Sequence, residues 1–138
     1  MSLWEKLFGR KRESGTARQA SPTVRRQKTY SAQSGYVYQY YFAGMRMREQ
    51  DGSLGTQYVF DVTADRKSFF ETSLFLERRV LESWTRQHGR DLNASEIYGI
   101  AKILLFRAFD EKENPEALRK ELRPNLDDVA WATKTLDL

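Results

Sequence analysis

The chain has no cysteine, a single histidine and only three prolines among its 138 residues. Without cysteine there is no disulfide framework, no thiolate nucleophile and no sulfur-ligated metal. With one histidine and no cysteine, the usual zinc ligand sets cannot be assembled. No cofactor and no metal are therefore expected. No stretch approaches the roughly 20 consecutive apolar residues that span a bilayer. The residues after Met1 lack the continuous apolar core of a secretory signal, and Glu5 and Glu13 count against a transit peptide. These features point to a cytoplasmic protein, with peripheral membrane attachment left open. Gly44, Gly52, Gly55 and Gly89 do not have the spacing of a phosphate-cradling loop.

Aromatic residues, by contrast, are plentiful at 13%, and charged residues reach 30%. The length suits one domain. The net charge of +4 conceals two parts of opposite sign. Residues 1–30 hold eight bases (Lys6, Arg10, Lys11, Arg12, Arg18, Arg25, Arg26 and Lys28) against Glu5 and Glu13. The remainder holds 15 bases against 17 acids. The sequence thus reads as a basic N-terminal arm, residues 1–34, ahead of a slightly acidic domain, residues 35–138.

Within the arm, residues 2–8 can form a short helix with Leu3, Trp4, Leu7 and Phe8 on one face, stopped by Gly9. The cluster Arg10, Lys11 and Arg12 follows directly. From Glu13 to Gly35 the chain has little to bury and reads as a linker. The opening helix has three readings: insertion at an anionic membrane surface, docking into a groove on a protein partner, or nucleic-acid contact through its arginines. A plain solvated tail stands beside them.

The domain reads as α+β: a small antiparallel meander of two to three strands, then three to four helices. Tyr36 to Arg48 has strand-favouring aromatics. Period-2 alternation places Tyr36, Tyr38, Tyr40 and Phe42 on one face, with Arg46 and Arg48 further along it. That face is a candidate aromatic and basic surface resembling a base-stacking platform, although aromatics on a small sheet are more often core. Glu49 to Gly55 reads as a turn, with Asp51-Gly52 supplying the positive φ, and Gln57 to Ala64 as a second strand. Ser68 to Leu76 fits either a strand or a capped helix. A strand is preferred, because two strands alone are marginal, with a helix then running from Arg78 to His88. Asn93 and Glu96 have capping-box spacing, with Leu92 and Ile97 as the staple. They open a helix to about Asp110, apolar around most of its circumference and hence central and buried. A short charged helix after Pro115 and a last one from Asp127 to Thr135 complete the chain.

Chemistry is sparse. His88 sits at a helix C-terminus, where a cation suits the dipole. Asp110-Glu111 and Asp127-Asp128 lie at helix ends, and Lys102 borders the apolar arc, where it is expected to snorkel outward. No catalytic constellation can be assembled, so the protein is expected not to be an enzyme. The leading expectation is a non-catalytic binding or adaptor module with a basic amphipathic tether for a protein partner or an anionic membrane surface. The alternatives are a nucleic-acid or ribosome-associated protein using the Arg-rich arm, and an enzyme of unidentified class. Homo-oligomerisation through the tyrosine-rich strand is a further reading.

Overall fold

A computed structural model describes residues 26–138. The sheet has four antiparallel strands in sequence order: β1 (Lys28–Ser31), β2 (Val37–Gln50), β3 (Ser53–Thr63) and β4 (Phe70–Glu77). Three α-helices follow: α1 (Arg78–His88), α2 (Ala94–Glu111) and α3 (Leu126–Thr135), with a 3-10 turn over Pro115–Arg119 between the last two. The α+β class stands, and the sheet is one strand larger than the two or three expected.

The added strand is β1, inside the stretch read as linker. Lys28 pairs with Tyr40 and Ser31 with Val37. Hydrophobic pattern could not announce it, because Tyr30 is its one large apolar side chain. Tyr30 stacks on Phe106 at 4.6 Å and donates a 2.8 Å hydrogen bond to Asp110. Burial and that carboxylate raise its phenol pKa to about 12.

The preferred third strand is present as β4, with α1 starting directly behind it. Phe70, Thr72, Leu74 and Leu76 face the helices and are buried. In β3, Tyr58, Phe60 and Val62 do the same. On this face α2 lays a row of rings: Phe109 stacks on Tyr38 at 4.4 Å, and Tyr98 meets Phe42 edge-on at 4.9 Å. Such pairs contribute ~0.5–1.5 kcal/mol each beyond area burial. The capping box at Asn93 and Glu96 forms, and Asn125 with Asp128 makes a second one that opens α3. Trp84 of α1, fully buried, donates to the Thr133 hydroxyl of α3 at 3.0 Å. His88, the last residue of α1, stacks on Trp84 and hydrogen-bonds its carbonyl oxygen through Nδ1.

The expected helix after Pro115 shrinks to its 3-10 turn. Beyond it the chain extends and docks on β4: the Phe75 N–H donates to the Leu122 carbonyl, and the Leu122 N–H to that of Ser73. This short parallel bridge brings Glu121 and Arg123 beside the sheet face opposite the helices.

Candidate interaction surface

Two features of β2 shape its surface. The first is a bulge. Phe42 pairs with Phe60, but Gly44 pairs with Val59, leaving Ala43 as the extra residue. Gly44 adopts φ 151°, a conformation L side chains rarely take. One extra residue inverts the alternation beyond it. Met45 and Met47 therefore lie opposite Tyr58 and Thr56 on the helix side, while Arg46 and Arg48 lie opposite Gln57 and Gly55 on the other.

The expected aromatic and basic face is corrected accordingly. Tyr38 and Tyr40 are buried core residues, and Tyr36 is partly exposed at the start of the strand. Arg46 and Arg48 are on the opposite side of the sheet. Tyr38, Tyr40, Arg46 and Arg48 thus share no surface. Leu3, Trp4, Leu7, Phe8, Arg10, Lys11 and Arg12 lie outside the described residues.

The arginines have partners. Arg46 donates through Nε to the Gln57 side-chain oxygen at 3.0 Å. Arg48 donates to Glu121 at 2.8 Å, and its guanidinium lies 5.0 Å from the centre of the Phe75 ring. Arg123 lies at the same distance from that ring and pairs with Asp51 at 3.1 Å. The Glu121 carboxylate also accepts from Gln57 and Ser73, both at 2.9 Å. Burial raises its pKa, but the three hydrogen bonds outweigh that and hold it below the usual value. Beneath these groups, the Phe75 ring rests on Gly55, where an added Cβ would come within 2.8 Å of the ring. This clamp roofs one end of the sheet face opposite the helices.

The second feature is an edge. β1 pairs with β2 only over Val37–Tyr40. Among the described residues, no strand covers that side of β2 from Phe42 to Gln50. Along this length, on the helix side, Met45 is 56% exposed, Met47 59% and the neighbouring Leu54 38%. An uncovered edge carrying exposed apolar side chains is the usual template for strand addition. Sequence reading missed these residues by carrying strict alternation through Ala43-Gly44. A glycine inside a strand pattern was the available signal.

Lys102 is also corrected: it is 3% exposed rather than snorkelling. Its Nζ lies 5.5 Å from the Tyr40 ring centre and 5.9 Å from those of Tyr98 and Phe106. Burial, with Lys28 nearby, lowers its pKa to about 8.

A cleft of about 190 Å³ between α2 and α3 has Arg107 paired to Asp128 at 2.6 Å, and a groove of about 400 Å³ lies beside Trp84, His88 and Lys134. Among the described residues, no three potential metal ligands cluster and no helix is long and apolar enough to cross a membrane. Comparison with known proteins gives no matching family model, no matching curated protein and no matching solved structure.

Proposed function

We propose that this chain is a non-catalytic binding module that captures an extended segment of a partner protein by adding it to the uncovered edge of β2. The observation that carries this reading is the nine-residue length of β2, Phe42 to Gln50, that no strand among the described residues covers on one side, with Met45 and Met47 exposed along it. Main-chain hydrogen bonds to the edge would supply affinity and alternate side chains specificity. The fitting segment carries apolar residues toward Met45 and Met47, and acidic or hydroxyl residues toward Arg46 and Arg48.

A partner of different sequence fits better than a second copy of this chain. Two β2 edges paired antiparallel about Met47 would set Arg46 against Arg48. Registers centred on Arg46, Arg48 or Glu49 would set each of these against itself, and directly opposed like charges are destabilising. The basic segment holding Leu3, Trp4, Leu7, Phe8, Arg10, Lys11 and Arg12 would give a second contact, tethering the module to an anionic membrane surface or another partner. The nucleic-acid reading has less to stand on, since Arg46 and Arg48 already serve Gln57 and Glu121.

Selection from a library of random peptides against the immobilised full chain tests the docking. The expected winners alternate apolar with acidic or hydroxyl residues and lose binding to Met45→Lys and Met47→Pro chains whose circular dichroism is unchanged. Winners indifferent to both substitutions would rule the edge out.

A further inference from the structure

The exposed face on β2 has a candidate occupant within the same chain. β1 runs antiparallel to β2 with Lys28 opposite Tyr40. Moving upstream from Lys28 therefore means moving along the uncovered edge, toward Met45 and Gln50. The 25 residues before the described chain contain one dense apolar group: Leu3, Trp4, Leu7 and Phe8. Seventeen residues separate Phe8 from Arg26. At roughly 3.3–3.6 Å per residue they can span up to ~60 Å. Met47 lies five positions beyond Phe42 on β2, about 17 Å along the strand. Reach is therefore ample.

Charge agrees with apolarity. Arg10, Lys11 and Arg12 directly follow Phe8, and Glu49 is exposed on the same side of β2 as Met45 and Met47, opposite Leu54. Methionine also suits the role, as an adaptable side chain that makes favourable sulfur–aromatic contacts with rings such as those of Trp4 and Phe8. Joining the two surfaces through a short segment gives an effective concentration in the millimolar range, so even a weak contact is populated.

We propose that residues Leu3 to Phe8 dock in cis on the face formed by Met45, Met47 and Leu54, with Arg10–Arg12 beside Glu49. A partner strand, if the docking function above holds, must then displace this segment to gain the edge. The protein would be self-shielded until a partner competes.

The absence of cysteine makes a direct test simple. A Ser2→Cys full chain accepts one nitroxide label and no other. In its amide spectrum, paramagnetic broadening is expected at residues 44–55, and Trp4→Ser with Phe8→Ser is expected to abolish it. Absence of that broadening, or its persistence in the double variant, would overturn the proposal. So would broadening seen only when nitroxide-labelled chain is mixed with separate isotope-labelled chain, which would place the segment on a second copy. Peptide capture without broadening would overturn the cis contact alone. Broadening without peptide capture would leave the cis contact standing and remove the docking function.

Discussion

Arg48 and Glu121, 73 residues apart in sequence, meet at 2.8 Å and join the outer part of β2 to the segment bridged onto β4. Gln57 and Ser73 donate to the same carboxylate, so one side chain grips three strands. Charge-assisted hydrogen bonds of this kind contribute ~1.5–3 kcal/mol each in favourable settings.

Replacing Glu121 by Gln should destabilise the fold by ~1–3 kcal/mol at pH 7. The carboxyl's folded pKa is lowered from 4.5. Its contribution is thus present above the unfolded value and lost as pH falls through the folded one. Urea unfolding at pH 7 and pH 3 should show the gap between wild type and variant narrowing in acid. A gap of equal size at both would refute this account. Glu77, also held low by Ser53 and Arg79, should leave some acid sensitivity in the variant.

Deleting Ala43 should restore strict alternation in β2. Either Met45 and Met47 then turn to the open face and Arg46 and Arg48 to the helix side, or the strand slips against β3. Both outcomes break the Arg48–Glu121 pair. We expect a loss of ~2 kcal/mol or more, as for other breaks of part-buried charged networks. A deletion variant that unfolds at the wild-type urea concentration would show that the bulge has no such role.

The same substitution should have opposite signs at two buried threonines. The Thr133 hydroxyl accepts from the Trp84 indole, so Thr133→Val strands a buried N–H and should cost ~1–3 kcal/mol. The Thr72 hydroxyl is buried with no hydrogen-bond partner among the described residues. Thr72→Val removes an unsatisfied group at nearly constant volume and should be neutral or stabilising by up to ~1 kcal/mol. Thermal melts of the two variants side by side decide the matter; equal shifts would contradict it.

Lys102→Met should compare more favourably with the wild type at pH 7 than at pH 9.5. The amine, facing Tyr40, Tyr98, Phe106 and Lys28, has its pKa lowered from 10.5 to about 8. At ~1.4 kcal/mol per pH unit this sets a ceiling of ~3 kcal/mol on the pH-dependent difference. Below pH 8 both folded and unfolded amines are protonated, so the burial penalty is felt in full. Between about 8 and 10.5 only the unfolded amine stays charged, so wild-type stability gains with pH while the variant lacks that gain. Denaturation at pH 7 and 9.5 tests this. The raised tyrosine pKa values act oppositely above pH 10, which makes 9.5 a sensible upper limit.

Much of the fold could be read residue by residue. Asn93 and Glu96 fixed the start of α2 through a local, reciprocal capping box. Asp51-Gly52 fixed the β2–β3 turn, where both residues take positive φ. The choice of strand for the stretch before α1 came from the marginal stability of a two-stranded sheet, and Phe70, Thr72, Leu74 and Leu76 do share the core face. The interaction surface was less legible. Arg46 and Arg48 were placed beside the tyrosines because alternation was carried through Gly44, and one bulged residue sends them to the other side of the sheet.

The sequence by itself determined the β2–β3 turn, the buried helix α2 and the last helix, because caps, turns and hydrophobic period are short-range signals. It also determined the separation of a basic N-terminal stretch from a slightly acidic remainder, which is a matter of counting. Tertiary structure alone decided that the polar run Lys28–Ser31 is a strand, that Lys102 is enclosed by rings, and that Glu121 meets Arg48. It alone decided that no strand among the described residues covers the edge of β2 beside Met45 and Met47. Each of these depends on partners tens of residues away, and in β2 on a parity that a single extra residue reverses.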